Sequence, residues 1–282
     1  MRELLKKILL RLDQIYLSEI YYRIKLYLNY RKNKSEVKQV NDVIVSLTSY
    51  PEKYKILYLT LISLLSQSIK PHKIILWLYY KDYSKLPLKI LNLENQSFII
   101  KKVYFNLKNY QKLIPCFKNF KQFKIVTADD DIYYPVDWLK SLIDKSYKKN
   151  NIVFGHRGHL IIYKYKKIYP YSTWKDNIFT KKTSKMIFLT GVGGIIYPKN
   201  FLNKRNVNKK IFLNICEPDD VWFYYMCRIK NFKFGLVNKY IRLYGWRYHG
   251  NKLSDKLTIN YNDIAITNLQ KKYKLSFCKF KI

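Results

Sequence analysis

The sequence predicts an α/β fold in which a mostly parallel sheet is flanked by helices, with a helical extension at the N-terminus. Three observations support this prediction. Apolar runs of strand length alternate with longer segments of helical periodicity, as in parallel βαβ units. Hydrophobic residues make up 48% of the 282 residues, which is enough for a substantial buried core. Polar turns follow directly after two of the apolar runs, where the ligand sites of parallel sheets lie.

The predicted elements of the sheet follow one another from residue 42 onwards. Strands are predicted at residues 42–47, 73–78, 98–105 and 123–127, and helices at residues 54–67, 138–143 and 222–229. Pro71 separates the first helix from the second strand, because proline cannot continue a helix. Thr48 and Ser49 follow the first strand, and Asp129 begins an acidic turn after the fourth. Since parallel strands end at the same edge of a sheet, we expect these two turns to face each other.

Residues 1–39 are predicted to form a basic amphipathic helical extension and linker, ahead of one domain at residues 40–282. Apolar residues at helical spacing are surrounded by basic ones: Leu5, Leu9, Leu12 and Tyr16, with Arg2, Lys6, Lys7 and Arg11. Two interpretations stay open: this helix lies on an anionic membrane surface, or it docks on the main domain. The polar residues 31–36 are predicted to form a linker. No run of about twenty apolar residues occurs, so a membrane-spanning helix is not expected.

The chain is strongly basic, with 54 Lys and Arg against 19 Asp and Glu and a formal net charge of +35. One explanation is an anionic partner, such as nucleic acid, an acidic membrane surface or a phosphorylated substrate. The other is a compositional bias, since Lys, Ile, Asn and Tyr are all abundant together. The lysines are spread over the whole chain. Total charge alone therefore does not choose a partner.

The cysteines indicate a reducing compartment. Cys116, Cys216, Cys227 and Cys278 contain no pair with CxxC spacing, and no secretory signal precedes them. We therefore expect a reduced, cytoplasmic protein. If the basic helix binds lipid, the protein would be peripheral at the inner face of the cytoplasmic membrane.

Three adjacent carboxylates, Asp129, Asp130 and Asp131, follow the fourth predicted strand. Like charges about 4 Å apart repel by roughly 4 kcal/mol at an effective dielectric constant of 20, so this cluster opposes folding. A divalent cation such as Mg²⁺ or Mn²⁺ would offset the repulsion, and it prefers carboxylate and phosphate oxygens. If the backbone stays extended, Asp129 and Asp131 point to one side and Asp130 to the other. A helix cap needs only one Asp, so we favour a metal–diphosphate site.

A second acidic pair, Asp219 and Asp220, precedes the helix predicted at residues 222–229. Carboxylates at a helix N-terminus are stabilised by its dipole, which is a purely structural explanation. The functional explanation is a general base that removes the proton of an acceptor hydroxyl. The sequence alone leaves these two explanations equal.

Two weaker signals lie nearby in the sequence. Gly191, Gly193 and Gly194 form a turn whose backbone can approach a sugar or an acceptor closely. His249 stands in an aromatic-rich loop, and a lone His is more typical of packing or solvent exposure than of metal binding. Neither signal assigns a function by itself.

Together these residues resemble a bacterial glycosyltransferase with the GT-A fold, of the family-2-like group that builds surface polysaccharides such as lipopolysaccharide or capsule. The similar segments, in order, are residues 45–51, 63–67, 112–115, 128–135, 191–194 and 218–222. The resemblance covers roughly residues 40 to 270, and the acidic turn, which is similar to a DXD motif, is its most specific part. It implies a GT-A-like, Rossmann-like sheet.

The resemblance also implies a role for each group of residues. The donor nucleotide sugar would be bound by Thr48, Ser49, Tyr50, Lys112, Asp129 and Asp130. The metal would be held by Asp131, with Asp129 near the ribose or a second metal position and His249 completing the shell. Asp219 or Asp220 would act as the base in an inverting displacement.

The chain departs from the family pattern at two places. Lys53 stands where relatives often carry Arg, and lysine gives a point charge without the planar fork of a guanidinium. Asn106 and Asn109 occupy a region in which relatives often place an acidic residue. The second departure bears on how the base of the nucleotide would be recognised.

The sequence thus predicts a metal-dependent glycosyltransferase that uses Mn²⁺ or Mg²⁺. Its donor would be a nucleotide sugar, with UDP-sugar as the first expectation. Its acceptor would be a saccharide or a lipid-linked saccharide in cell-surface polysaccharide synthesis. The alternatives are a basic nucleic-acid-binding protein and a metal-dependent phosphohydrolase. Nucleic acid is not expected as a partner, because the acidic turn would oppose a phosphate backbone.

Overall fold

The computed structural model describes residues 17–30, 37–147, 149–165, 167–203, 207, 213, 215–237, 241, 243–247 and 260–273. Residues 1–16 of the predicted helical extension, the linker at residues 31–36, His249 and Cys278 lie outside the described residues. In the described part of the chain, Cys116, Cys216 and Cys227 are buried free thiols. No helix among the described residues is long and apolar enough to cross a membrane.

The helices of the described chain are mostly short. They are α1 (residues 17–30), α2 (Tyr54–Leu65), α3 (Tyr80–Tyr83), α4 (Leu88–Leu91), α5 (Ile114–Phe120), α6 (Trp138–Ser146), α7 (Asp219–Ile229) and α8 (Asn260–Tyr273). Short 3₁₀ turns lie at Pro51–Lys53, Lys108–Lys112 and Tyr171–Thr173.

The strands divide into one large sheet and several two-stranded ribbons. They are β1 (Gln39–Thr48), β2 (Lys70–Tyr79), β3 (Phe98–Val103), β4 (Lys124–Thr127), β5 (Ile132–Tyr133), β6 (Ile152–Gly155), β7 (Gly158–Leu160), β8 (Tyr163–Lys164), β9 (Lys167–Ile168), β10 (Ile187–Leu189), β11 (Ile195–Tyr197), β12 (Lys233–Leu236) and β13 (Tyr244–Gly245). The four strands and three helices predicted from the sequence are present at close to their expected positions.

The large sheet contains seven strands in the order β12-β6-β11-β4-β1-β2-β3. All neighbouring pairs are parallel except those of β11, which runs antiparallel to both β4 and β6. The predicted mostly parallel α/β sheet is therefore confirmed. The register places Ser46 opposite Thr127, so β1 and β4 end side by side.

Helices cover both faces of the sheet because the side chains of its strands alternate between two cores. On β1, Ile44 lies in a core shared with α5 and α7. Val43, Val45 and Leu47 point the other way, into a core shared with α2 and α6. Each fully buried side chain of this size contributes about 1.5–3 kcal/mol to folding. The two cores hold the sheet rigidly between helical layers.

The antiparallel strand β11 depends on a turn that only glycine can form. Gly193 and Gly194 have φ angles of +105° and +87°, in the left-handed region. A Cβ atom on Gly194 would lie 2.5 Å from Cζ2 of Trp138, so the space also excludes a side chain. The Trp138 indole N–H donates a 2.6 Å hydrogen bond to the Gly193 carbonyl. This turn brings the glycine segment to the edge of the sheet where the parallel strands end.

Helix α1 docks on the main body beside the acidic turn. Its Tyr22 ring stacks on Tyr244 at 4.4 Å and contacts Tyr133 at 5.0 Å between ring centroids. Tyr133 lies on β5, which pairs with β13. The Trp246 amide then donates a 2.7 Å hydrogen bond to the Asp131 carbonyl. The described helical residues therefore pack against the strand pair that supports the acidic turn.

Candidate functional site

The acidic and basic residues singled out in the sequence meet at the edge of the sheet where β1 and β4 end. The loop after β1 supplies Ser49 and Lys53, and the turn after β4 supplies Asp129, Asp130 and Asp131. Further contributions come from the start of α7, the glycine turn before β11 and the 3₁₀ turn that ends at Lys112. Ligand sites of parallel α/β sheets lie at this edge.

Asp130 is the buried centre of the acidic turn. The Ser49 hydroxyl donates a 2.6 Å hydrogen bond to its Oδ2, and Lys53 Nζ lies 2.9 Å from its Oδ1. Lys53 Nζ also lies 2.9 Å from Asp131 Oδ2. Burial raises the pKa of Asp130 to about 6, with Lys53 opposing the shift and Asp131 adding to it. Burial tends to lower the pKa of Lys53, but Asp130 and Asp131 outweigh it and the pKa lies above its usual value.

The extended backbone on which alternating side chains would depend does not continue through the acidic turn. Strand β4 ends at Thr127, and the backbone turns at Asp130 and Asp131. Asp130 and Asp131 consequently share Lys53, whereas Asp129 pairs with a different lysine. Of the three, Asp130 has the most buried side chain.

Lys112 connects the two acidic clusters. Its Nζ lies 3.1 Å from Asp129 Oδ1 and 3.2 Å from Asp219 Oδ2, and its side chain is almost fully buried. The contact with Asp129 is a hydrogen bond, whereas the contact with Asp219 is an ion pair without hydrogen-bond alignment. Burial alone would lower the pKa of Lys112, but Asp129, Asp219 and Asp220 raise it well above its usual value. The ammonium group therefore stays charged.

Asp219 and Asp220 form the first turn of α7, where the helix dipole stabilises carboxylates. The Gly191 amide donates a 2.8 Å hydrogen bond to Asp220 Oδ2. Burial raises the pKa of Asp220 to about 7, and the charge of Asp219 adds to the shift while Lys112 opposes it. A carboxylate that titrates near neutral pH is suited to accept a proton.

Gly191 makes this arrangement possible by its lack of a side chain. A Cβ atom there would lie 3.1 Å from Asp220 Oδ1 and 3.2 Å from Lys112 Nζ. The glycine turn was expected to approach a sugar or an acceptor. In the structure, its backbone approaches the acidic pair.

Thr48 and Tyr50 flank the loop after β1. The Thr48 hydroxyl donates a 2.8 Å hydrogen bond to the Trp77 carbonyl and accepts one of 3.0 Å from the Gln111 amide. The Tyr50 ring lies 5.5 Å from Lys53 Nζ. These contacts place both residues at the same edge of the sheet, next to Ser49.

The carboxylates suit a hard divalent cation. The Asp131 and Asp129 side chains are 33% and 23% exposed, whereas that of Asp130 is 8% exposed. Among the described residues, no group of three or more His, Cys, Asp or Glu side chains is arranged to hold a metal ion. Mg²⁺ and related ions are commonly held by one or two carboxylates together with substrate phosphates. Asp129 and Asp131 match that donor set, and they would need phosphate oxygens to complete it.

Several site residues were missed or misjudged from the sequence. Lys53 was noted only as a departure from the family pattern, yet it holds two of the three aspartates. The Tyr134 hydroxyl accepts a 2.8 Å hydrogen bond from the Asp129 amide and so fixes the start of the turn. Gln111 connects β1 and β2 through Thr48 and Trp77. For Tyr134 and Gln111, no sequence signal distinguishes them from ordinary core residues.

Comparisons with known proteins bear on the fold. No protein-family model and no curated protein matches the sequence. Among solved structures, GalNAc-T7 with UDP, GalNAc and Mn²⁺ has a TM-score of 0.50 and 13% identity over 73% of this chain. This chain spans 43% of the length of that structure.

Two further structures have lower similarity. The 4-diphosphocytidyl-2C-methyl-D-erythritol synthase from Anaerococcus prevotii has a TM-score of 0.47 and 12% identity, covering 82% of this chain and 96% of its own. A mannosyltransferase from Pyrobaculum calidifontis in complex with GDP-Man and Mn²⁺ has a TM-score of 0.34 and 11% identity. The match covers 48% of this chain and 42% of the mannosyltransferase. The similarity to GalNAc-T7 shows the fold: the sheet is of the GT-A, Rossmann-like type.

Proposed function

We propose that this chain is a metal-dependent glycosyltransferase that moves a sugar from a nucleotide-diphosphate donor to a saccharide or lipid-linked acceptor. One observation carries the proposal: Lys112 contacts both Asp129 of the acidic turn and Asp219 of the second cluster. A candidate donor-binding carboxylate and a candidate base cluster therefore lie on either side of one ammonium group. Displacement at a sugar carbon needs a leaving-group site and a proton acceptor this close together.

The donor end of the site is the acidic turn. Asp129 and Asp131 would hold Mn²⁺ or Mg²⁺, which when bound supplies positive charge against the departing nucleoside diphosphate. Lys53 and Lys112 add fixed positive charge at the same place, since both stay protonated. Thr48, Ser49 and Tyr50 would line the nucleotide pocket, with Asp130 as the support that keeps Lys53 in position. His249 is proposed as a further metal ligand from the family resemblance.

The acceptor end is the start of α7. Asp220 is the better candidate for the base, because its pKa of about 7 favours proton transfer near neutral pH. The Gly191 amide holds its Oδ2, which fixes the carboxylate in one orientation. Asp219 raises the pKa of Asp220 through its charge and contacts Lys112. An in-line attack by the activated hydroxyl gives inversion at the sugar carbon, and this stereochemistry is part of the proposal.

The fold supports this class of reaction. GalNAc-T7, whose structure contains UDP, GalNAc and Mn²⁺, has the same fold at a TM-score of 0.50. UDP-sugar is therefore the first donor to test. The biological setting in the proposal is cell-surface polysaccharide synthesis on the cytoplasmic side of the membrane. It rests on the motif resemblance, as does the division into an extension at residues 1–39 and a transferase domain at residues 40–282.

A thermal-shift screen of nucleotide sugars with and without Mn²⁺ tests the donor half of the proposal. A ligand that binds only the folded state raises Tm. At a ligand concentration of 100 times Kd, it adds about 2.7 kcal/mol to the free energy of unfolding. We expect one nucleotide family to stabilise the chain, and to do so more strongly with metal. Stabilisation by nucleic acid in preference to every nucleotide sugar would contradict the proposal.

A radiolabelled donor tests the reaction itself. The proposal expects label to pass to a saccharide acceptor, whereas transfer to water alone would indicate a phosphohydrolase. Asp131→Asn should lower kcat/KM by roughly 10³-fold or more, because a neutral amide is a far weaker metal ligand. The matched control is Asp144→Asn, which changes an exposed carboxylate on α6 that pairs with Lys140 away from the acidic turn. Wild-type turnover in Asp131→Asn would remove the metal assignment.

A further inference from the structure

Helix α1 is apolar on two opposite faces. One face is buried, with Tyr22 and Leu26 in a cluster that also contains Ile56, Ile62 and Tyr133. The other face is exposed to solvent and consists of large apolar side chains: Leu17, Ile20, Tyr21, Ile24 and Leu28. A surface helix normally has a single apolar face. The exposed apolar face is therefore a candidate binding surface.

The exposed residues form one continuous stripe. They are spaced i, i+3, i+4, i+7 and i+11, which at about 100° per residue places them within an arc of about 100°. Ile20, Ile24 and Leu28 are each more than half exposed, at 52%, 56% and 52%. Isolated exposed apolar residues are ordinary on protein surfaces, but a contiguous row of this kind marks an interaction surface.

Basic residues border the stripe on both sides. At about 100° per residue, Arg23 falls about 60° beyond one edge and Lys25 about 40° beyond the other. Both side chains are exposed, so their charged ends can extend away from an apolar surface while their stems lie along it. Residues close by in the sequence add more positive charge: Arg2, Lys6, Lys7, Arg11, Arg31, Lys32 and Lys34.

We propose that the exposed face of α1 binds an anionic lipid bilayer, with the helix lying in the plane of the interface. An apolar stripe bordered by Lys and Arg is the pattern of helices that insert one face into the boundary between headgroups and acyl chains. The phosphate groups of anionic lipids would meet Lys25 directly, and would meet Arg23 in exchange for its 2.7 Å ion pair with Glu19. The formal net charge of +35 adds long-range attraction to such a surface.

The same charge argues against a second copy of the chain on this face. Two molecules that each carry +35 repel one another, whereas an anionic membrane attracts each of them. The acidic turn lies close to the docked helix, because Tyr22 packs on Tyr133, two residues after Asp131. Binding through α1 would hold the proposed transferase site near the membrane, within reach of a lipid-linked acceptor. The vesicle contact itself needs no substrate and is independent of the proposed activity.

Vesicle co-sedimentation of the full chain tests the proposal. The chain is mixed, without substrate, with vesicles of phosphatidylcholine alone or with phosphatidylglycerol added, at low and high salt. We expect binding only to the anionic vesicles and weaker binding at high salt. The double variant Ile20→Gln with Ile24→Gln should lower the vesicle partition coefficient at least about tenfold. Two apolar side chains that would insert into the bilayer are then replaced by polar ones.

A matched control removes at least as much exposed apolar surface elsewhere. Leu88→Gln with Phe179→Gln changes two side chains that are each 74% exposed and lie outside α1. This control should bind vesicles like the wild type, and both double variants should keep the wild-type Tm.

Three results would overturn the proposal. The first is a wild-type chain that does not sediment with anionic vesicles, as expected if residues 1–16 cover the stripe. The second is a helix variant that binds like the wild type, which would make net charge alone the cause of binding. The third is a wild-type dimer in sedimentation velocity that the helix variant converts to a monomer without any effect of lipid.

Discussion

The two acidic clusters of the site differ in how the repulsion between their adjacent carboxylates is offset. In the turn after β4, Asp130 and Asp131 share Lys53, and Asp129 has Lys112. Within the described residues, Asp219 and Asp220 at the start of α7 have a contact with Lys112, a backbone amide and the helix dipole. The first cluster is compensated by ion pairs and is partly exposed. The second is compensated by fewer positive charges.

The difference appears in the carboxyl groups that titrate abnormally. Burial raises the pKa of Asp130 to about 6, and Lys53 with the Ser49 hydroxyl opposes the shift. Burial together with the charge of Asp219 raises the pKa of Asp220 to about 7. In the turn, Lys53 and the Ser49 hydroxyl thus favour the ionised form of Asp130 against the effect of burial. The start of α7 is built to exchange a proton near neutral pH.

Asp220→Asn should have the largest effect among the variants that test whether the turn binds the donor and the start of α7 accepts the proton. An amide cannot accept the acceptor proton, so kcat should fall by about 10²–10⁴-fold. The affinity for the donor should stay close to that of the wild type, because the donor would bind at the other cluster. The measurement is steady-state kinetics together with donor binding to the inactive variant. A fall in donor affinity equal to the fall in kcat would contradict separate roles.

The pH dependence of Asp220 follows from its raised pKa. Since the base must be ionised, wild-type kcat should rise with pH through about 7. The sign for stability is the opposite: a carboxyl whose pKa is higher in the folded state loses its stabilising contribution as pH rises from about 4 to about 7. Asp220→Asn should therefore raise Tm above pH 7 by roughly 2–6 °C. If the variant and the wild type had the same dependence of Tm on pH, the ionised Asp220 carboxylate would not destabilise the folded state.

Much of this arrangement could be predicted from the sequence, because strand ends and acidic turns are local features. The runs that became β1 and β4 placed Ser49 and the aspartates at one edge of the sheet. What could not be predicted depends on tertiary distance. Nothing local shows that Lys53 turns back to Asp130, or that Gly191 brings its amide to Asp220. The apolar strand after the glycine turn is present as β11, but its antiparallel direction was not predicted, since a short apolar run does not reveal direction.

Lys112→Met is the next largest test, because this side chain belongs to both clusters. Removing one partner of a buried ion pair leaves uncompensated charge and typically costs about 3–5 kcal/mol. Urea unfolding at pH 8 should show a loss of this size, and the loss should shrink at acidic pH as the carboxylates become protonated. The control is Lys108→Met, whose exposed pair with Glu217 should contribute about 0–1 kcal/mol. Equal losses in the two variants would mean that Lys112 does not bridge the clusters.

Ser49→Ala is the smallest and most selective test. The Ser49 hydroxyl donates its hydrogen bond to the first cluster, to Asp130 Oδ2 at 2.6 Å. Hydrogen bonds to charged groups contribute about 1.5–3 kcal/mol to stability. Part of the stability lost in the variant should appear as greater mobility of the acidic turn. We expect KM for the donor to rise about tenfold while kcat changes little. Ser68→Ala removes a hydroxyl–carboxylate bond to Asp137 away from the turn and should leave KM unchanged. If kcat fell and KM stayed constant, Ser49 would act in the chemical step, and the division between a donor-binding turn and a proton-accepting helix start would fail.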